Sequence, residues 1–284
     1  MNKDIYISTT FAKDNTPVSK VLNFCKKNDI TNVELGSNHC FEKNYYKICK
    51  KYNLNYLVHN YFPIPKKSFV VNVASLDKKI RKKSILHVKK CIRFTKSVNS
   101  KLYTFHPGFI EDPISSNKHQ KNYDFVWSRL RKNNYKNVFK QMIISLKEIT
   151  SYAKKKSVNI AIETEGSFKK KHLLIMQRPK EFVSLFKHFK PKELGINLNI
   201  GHLNLASKAF GFSKFFFVKL LKKYIVAIEF SHNNGLEDQH LPIKDKQWYL
   251  KILNSNNLKN VTKILEFRNA NLKEIKRSIK ILNN

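Results

Sequence analysis

Two acids and two histidines lie within the stretch SHNNGLEDQH, residues 231–240, of a chain that has only 20 acids and 10 histidines in 284 residues. Imidazole nitrogens and carboxylate oxygens bind divalent cations and move protons near neutral pH. One residue separates Asp238 from His240, so in an extended segment both side chains lie on the same side. The stretch predicts a metal or acid/base site, to which His232 contributes from the end of the preceding apolar run.

Residues of the same chemical types stand at the ends of other short apolar runs. They are His59, His106, Glu163, Asn199, His202 and Glu266. A carboxylate directly after an apolar run, such as Glu163 in NIAIE, lies at the edge of a core and needs a partner there. Each residue alone could be an ordinary hydrogen-bonded side chain, but six strand ends together favour a site. Glu34 is a weaker candidate, as a supporting acid or a substrate contact, and Glu165 and Glu237 are expected to be solvated.

The elements that position these residues alternate regularly. Predicted strands cover 5–9, 32–36, 55–60, 101–108, 159–166, 194–202, 225–230 and 261–267. Apolar strands separated by amphipathic helical segments predict a parallel sheet, and eight such units close most economically into a (β/α)8 barrel. An open doubly wound sheet is the alternative, but STTFAKDN after the first strand lacks the Gly-rich turn typical of it.

We therefore predict an α/β fold with a single TIM barrel domain over residues 1–284. Long loops are expected after strands 3 and 4, and the second, which includes GFIEDPISSNKHQKNYDFVWSRL, could cover a site. Active sites of such barrels lie at the carboxyl ends of the strands, where the residues named above are expected to meet.

The composition limits the class of protein without naming a partner. Lys+Arg 55 against Asp+Glu 20 gives a net charge of +35, which would attract phosphates, nucleic acid or anionic lipid. Lysines spread along the chain, as an A+T-rich genome would produce, are the alternative explanation. Four cysteines without a CxxC motif predict neither a disulfide framework nor a zinc knot. No stretch has the length and apolarity of an export signal or a membrane span, so we expect a cytoplasmic protein.

The motifs VHNYFP, FHPGF, IETEG, NIGH, SHNNGLEDQHLPI and LEF, in this order, resemble those of the xylose isomerase-like TIM barrels. This superfamily groups sugar isomerases and epimerases with zinc apurinic endonucleases, and the resemblance runs from YIST to ILEF. In the endonuclease branch it implies three zinc ions on nine side chains. Those positions are His59, His106, Glu163, Asn199, His202, His232, Asp238, His240 and Glu266. Asn199 departs from the aspartate of both branches, and an amide brings a metal no charge.

In the isomerase branch, the resemblance implies one Mn, Mg, Co or Fe ion held by Glu163, Asn199, His232 and Glu266. Glu163 and Glu266 would also move a proton beside a polarised carbonyl and so form an enediolate, while His202 would hold a substrate oxygen. From its chemistry, Arg268 is a candidate ligand for a substrate phosphate or carboxylate, with a surface arginine as the alternative.

The short loop HNNGLED and the segments QRPKEF and HLPI resemble the sugar-active members, whereas His59 together with His106 resembles the endonucleases. We predict a metal-dependent sugar or sugar-phosphate isomerase or epimerase. The alternatives are a zinc-dependent apurinic endonuclease, which would make nucleic acid the partner, and a non-catalytic barrel that binds a sugar phosphate. Barrels of this group often pair through their outer helices, so a homodimer is also expected as a possible assembly.

Overall fold

The computed structural model of the chain describes residues 5–118, 123–127, 133–167, 173–255, 258 and 260–283. Eight parallel strands form a closed barrel, which confirms the predicted fold class. They are β1 (Ile5–Ser8), β2 (Asn32–Leu35), β3 (Asn55–His59), β4 (Leu102–Phe105), β7 (Asn159–Glu163), β8 (Gly195–Asn199), β9 (Ile225–Phe230) and β10 (Thr262–Leu265). Their order around the barrel is β1, β10, β9, β8, β7, β4, β3 and β2.

Helices surround the barrel and cover the apolar outer faces of the strands. They are α1 (Val18–Lys27), α2 (Tyr45–Tyr52), α3 (Lys78–Ser97), α4 (Tyr135–Lys156), α5 (Pro179–Leu185), α6 (Ile200–Phe210), α7 (Lys214–Leu221), α8 (Trp248–Ser255) and α9 (Leu272–Asn283). In α1 the buried side chains are Val18, Val21, Leu22 and Cys25, the spacing of an amphipathic helix on a core. No helix in the described part of the chain is long and apolar enough to cross a bilayer.

The predicted long loops after the third and fourth barrel strands are present and are tied to each other. The second contains a hairpin of β5 (Ser115–Lys118) and β6 (Tyr123–Val126), while residues 119–122 and 128–132 of this loop lie outside the described ranges. Asn72 of the first loop donates to the carbonyl of Phe109 (3.2 Å) and to Asp112 (2.8 Å) in the second. Because Asn72 is 1% exposed, these hydrogen bonds fix one wall of the barrel mouth.

The inside of the barrel is unusually polar near the carboxyl ends of the strands. Glu34, His59, Glu163, Asn199 and Glu229 are all buried. His59 on β3 approaches Glu163 on β7 and Glu229 on β9, strands that are not its neighbours. Side chains from non-adjacent strands can meet only inside the barrel, so this polar layer points at the axis.

Candidate metal site

The histidines and acids predicted from the strand ends form two clusters at the carboxyl end of the barrel. In the first ligand cluster, the ligand atoms of His59, His106 and Glu163 lie within 4.8 Å of one another. In the second ligand cluster, those of His202, Asp238 and His240 do so. Each cluster combines two imidazoles with one carboxylate, a donor set that divalent transition metals bind with positions left open for substrate.

In the first ligand cluster, one oxygen is shared by two imidazoles. Nε2 of His59 and Nε2 of His106 each lie 3.4 Å from Oε2 of Glu163. This oxygen is buried and accepts no hydrogen bond. The other ring nitrogens are engaged outside the cluster, since His59 Nδ1 lies 2.8 Å from Thr104 Oγ1 and His106 Nδ1 lies 2.8 Å from Glu165 Oε1.

The second ligand cluster repeats this arrangement. Oδ1 of Asp238 lies 3.7 Å from His202 Nε2 and 3.0 Å from His240 Nε2, and no hydrogen bond of normal geometry reaches it. His202 Nδ1 lies 2.8 Å from the Thr164 carbonyl, and His240 Nδ1 lies 3.1 Å from Glu266 Oε2.

All four imidazoles therefore have the same orientation. Each Nδ1 faces an oxygen acceptor, and each Nε2 faces the carboxylate of its cluster. In His59, His106 and His202 the hydrogen bond lies at Nδ1, so we assign the proton of these neutral rings to Nδ1, which leaves the Nε2 lone pair free. In His240 the hydrogen bond lies at Nε2, 3.1 Å from Asp238 Oδ2. Metal-binding histidines in proteins usually have such an acceptor on the other nitrogen. Together with the unpartnered oxygens of Glu163 and Asp238, this orientation fits a divalent cation in each cluster.

Asn199, predicted to bind a metal through its amide oxygen, lies between the two clusters with its nitrogen toward the carboxylates. Its Nδ2 donates to Glu163 Oε1 at 2.9 Å, to Glu229 Oε2 at 3.1 Å and to Glu266 Oε2 at 3.2 Å. Its Oδ1 instead accepts the backbone N–H of His202 at 3.1 Å and caps α6. In this orientation the amide is a hydrogen-bond donor to the acids.

Three other predicted site residues, His232, Glu34 and Arg268, are not members of the two ligand clusters. His232 pairs through its backbone with Leu241, and its ring lies 6.4 Å from that of Tyr249, so it belongs to neither ligand cluster. Glu34 is fully buried and does not line the cavity at the mouth, and its carboxylate lies with ligand atoms of His59 and Glu229 within 4.8 Å of one another. Arg268 does line that cavity, where its guanidinium lies 3.4 Å from Asp238 Oδ2.

Two acids of the site were missed from the sequence. Glu229 is 0% exposed and bonds both Asn197 and Asn199. It stands inside the apolar run IVAIEF, the same signal that identified Glu163, so the rule could have found it. Glu165 was expected to be solvated, and this prediction was wrong, because the residue is 6% exposed and bonded to His106.

The acids and histidines of the two ligand clusters shift one another's pKa values. Burial alone would raise the pKa of Glu163, but His106 and His202 lower it below its usual range. Burial would lower the pKa of His106, yet the charges of Glu163 and Glu165 raise it to about 9. In the second cluster, burial would likewise lower the pKa of His240, but Asp238 and Glu266 raise it to about 9.

The pKa values of two acids deeper in the barrel, Glu229 and Glu34, are raised instead of lowered. Burial raises the pKa of Glu229 well above its usual range, and the neighbouring charges of Glu163 and Glu266 raise it further. Burial also raises the pKa of Glu34, with a further contribution from Glu266, although Ser8 opposes the shift. For both acids, burial therefore favours the protonated form.

A cavity of about 1050 Å³ opens onto both ligand clusters. Apolar and aromatic side chains form much of its wall, among them Tyr61, Ile64, Phe69, Phe109 and Trp127. The described cations in its lining are Lys83 and Arg268. The acids are Asp14, Asp112, Glu163, Glu165, Asp238 and Glu266. Although the whole chain carries +35, the described lining of this cavity is acidic.

Fold and site together define a (β/α)8 barrel with a histidine- and carboxylate-lined mouth. The chain belongs to the xylose isomerase-like TIM barrel family, whose model matches residues 28–284. This confirms the resemblance seen in the motifs.

Individual proteins are similar at lower identity. An uncharacterized protein of Methanocaldococcus jannaschii is 23% identical over 75% of this chain, and the match spans 65% of that relative, less than two thirds. An apurinic-apyrimidinic endonuclease 1 of Plasmodium falciparum is 41% identical over 68 residues, 24% of this chain and 10% of that protein. The crystal structure of a D-tagatose 3-epimerase-like protein superposes with a TM-score of 0.71 at 19% identity, covering 99% of this chain and 98% of the other.

Proposed function

We propose that the protein is a divalent-metal-dependent sugar or sugar-phosphate isomerase or epimerase. The observation that carries this proposal is a pair of carboxylates, Glu163 and Glu266, that both face one cavity of small-molecule size. The same amide nitrogen, Asn199 Nδ2, lies 2.9 Å from one and 3.2 Å from the other. A sugar carbon held in the cavity between these two residues would have a carboxylate within reach on two sides, as removal and return of a proton require.

Both carboxylates are in the basic form that proton abstraction needs. Burial would raise the pKa of Glu266, but His240 lowers it, as His106 and His202 do for Glu163. When bound in the ligand clusters, a divalent cation supplies polarisation of a carbonyl or hydroxyl oxygen. Glu163 and Glu266 then remove and return the proton on the adjacent carbon through an enediolate. His202 would hold the cation of the second ligand cluster through Nε2, because its Nδ1 faces the Thr164 carbonyl. The cavity wall around Tyr61, Phe69 and Trp127 excludes water.

The lining of the cavity favours a small sugar over a long polyanion. Described acids outnumber described cations there, and an acidic mouth disfavours approach of a nucleic-acid backbone. Arg268 and Lys83 both line the cavity, and either cation can contact a phosphate, so the proposal covers sugar phosphates as well as free sugars. The fold that this chain shares with a D-tagatose 3-epimerase-like protein agrees with the proposal.

Zinc-dependent cleavage of a phosphodiester is the second candidate. The observation in its favour is the presence of both His/His/carboxylate clusters, since paired metal sites serve phosphoryl chemistry. The partial match to an apurinic-apyrimidinic endonuclease points the same way. The acidic lining of the cavity opposes it.

Solvent proton exchange tests the proposal. Metal-loaded protein is incubated in D₂O with a panel of ketoses and ketose phosphates, and deuterium next to the carbonyl is followed by NMR. Glu163→Gln and Glu266→Gln should each lower the exchange rate by about 10²–10⁴-fold, the usual contribution of a general base. Glu237→Gln, which removes an acid outside the described cavity lining, should leave it unchanged.

Two results would contradict the proposal. Nicking of an abasic-site duplex without any sugar exchange would establish the phosphodiesterase instead. Binding of a sugar phosphate with neither exchange nor nicking would establish a non-catalytic barrel.

A further inference from the structure

A neutral side chain lies at the centre of the buried acids. Three carboxylate oxygens, from Glu163, Glu229 and Glu266, lie 2.9–3.2 Å from Nδ2 of Asn199. These four residues are at most 8% exposed. An amide nitrogen carries two hydrogens, so three acceptors share two donors, and the nitrogen occupies the point on which the oxygens converge.

The orientation of this amide is determined by its neighbours. Oδ1 of Asn199 accepts the backbone N–H of His202 at 3.1 Å, and the Asn199 backbone N–H donates to Thr164 Oγ1 at 2.9 Å. Turning the amide over would direct its oxygen at three carboxylate oxygens and its NH₂ at a backbone N–H. Both contacts would be repulsive, so the nitrogen faces the acids.

The centre, which consists of Asn199 and the acids Glu163, Glu229 and Glu266, differs from the two ligand clusters in whether its buried carboxylate oxygens have a hydrogen-bond donor. At the centre, the three carboxylate oxygens lie within hydrogen-bond distance of Asn199 Nδ2 and share its two hydrogens. In the clusters, Glu163 Oε2 and Asp238 Oδ1 have no hydrogen-bond partner although each faces two imidazole Nε2 atoms. A buried oxygen without a partner is costly unless a cation completes it. The cluster oxygens therefore fit a cation, whereas the oxygens at the centre already have a donor.

We propose that the protein binds two divalent cations, one in each ligand cluster, and that the Asn199 amide takes the place of a third cation between them. The inference rests on the metal dependence of the proposed function but not on its reaction. The donor set of two imidazoles and one carboxylate selects the class of Zn²⁺, Fe²⁺, Co²⁺ or Mn²⁺. Glu163 belongs to the first cluster through Oε2 and to the amide through Oε1.

Metal analysis of the purified chain, reconstituted with Zn²⁺ or Co²⁺ and freed of excess ion, tests the inference. The wild type should hold two ions per chain. His106→Ala and His240→Ala should each remove one, and the double variant should hold none. Because the double variant keeps Asn199 and the three acids around it, one ion remaining there would show a central site and overturn the inference, as would one or three ions in the wild type.

Asn199→Asp provides the converse test. It replaces the central donor with a fourth carboxylate, so the count should rise from two to three, and the Co²⁺ protein should gain absorption for one more ion. Asn204→Asp adds the same charge on α6, where Asn204 contacts Asn233 and Lys214, and should leave the count at two. A count of two in a folded Asn199→Asp protein would also contradict the inference.

These outcomes are distinguishable from failure of the proposed function. Two ions per chain without sugar exchange would refute the isomerase and leave the metal arrangement standing. Sugar exchange with one or three ions would refute only the metal arrangement.

Discussion

Replacing Glu165 by glutamine tests how the charge of Glu165 affects the pKa of His106 and the metal affinity of the first ligand cluster. Glu165 Oε1 lies 2.8 Å from His106 Nδ1, and its charge helps to raise the pKa of that histidine to about 9. Glutamine keeps the shape and an acceptor oxygen but removes the charge. Loss of such a carboxylate partner lowers metal affinity about 10–100-fold, which corresponds to about 1.4–2.7 kcal/mol.

The loss of metal affinity caused by Glu165→Gln should depend on pH. In the wild type, a proton competes with the metal for His106 at every pH below about 9. In the variant, the pKa falls part of the way towards 6.5, because Glu163, the larger electrostatic cause, remains. Proton competition is then weaker and offsets part of the lost affinity. The deficit should therefore be largest above pH 9 and should shrink at pH 7.

Chelator-buffered titration with Zn²⁺ or Co²⁺ at pH 7 and pH 9.5 measures this difference. NMR titration of the metal-free protein reports the pKa of His106 separately. Glu237→Gln is the control, since it removes an acid from the neighbourhood of the second cluster without touching His106. Equal weakening at both pH values, or an unchanged pKa of His106 in the variant, would refute the reasoning.

Three further predictions concern stability. In the metal-free protein, His106 and His240 have pKa values of about 9 against 6.5 when unfolded, so their stabilisation is complete below pH 6.5 and is lost as the pH rises to 9. Calorimetry should show the unfolding temperature falling over that range, and a saturating divalent cation should abolish the fall. Gly166→Ala should cost about 1–3 kcal/mol in urea unfolding, because the new Cβ would lie 2.3 Å from the His202 carbonyl oxygen. Gly211→Ala, with nothing within 4 Å but a φ of +70°, should cost about 1 kcal/mol, and an equal loss in both variants would contradict this argument. Glu34→Gln should change the unfolding free energy at pH 7 by less than about 1 kcal/mol, since burial raises the pKa of Glu34 well above its usual range and so favours the neutral form, and a loss above about 2 kcal/mol would mean that Glu34 is ionised.

Much of the site follows from local rules that act along the chain. Alternation of apolar runs with helical segments predicts parallel strands, and parallel strands bring their carboxyl ends to one rim. His59, His106 and Glu163 could therefore be placed together before any contact was known. The spacing of Asp238 and His240 likewise placed both on one side, and the structure brings them 3.0 Å apart.

Other features depend on how neighbouring elements pack. His232 lies two residues after the end of β9, and its pairing with Leu241 places it beside Tyr249, outside both ligand clusters. Glu229, three residues earlier, approaches the acids of β7 and β10 instead, because the register of β9 with β8 aligns it with Asn199. The sequence analysis predicted His232 and missed Glu229, because only the strand register decides which of the two enters the barrel.

The sequence by itself determined the barrel, the strand ends that form its mouth and most of the residue types that meet there. Periodicity and the chemistry of single residues depend only on near neighbours in the chain. The tertiary structure alone decided the direction in which the Asn199 amide faces. That direction depends on α6 beginning directly after β8, which brings the N–H of His202 to the amide oxygen, and on acids from three other strands meeting the nitrogen. A hydrogen-bond donor among acids that are distant in sequence exists only once the barrel has closed.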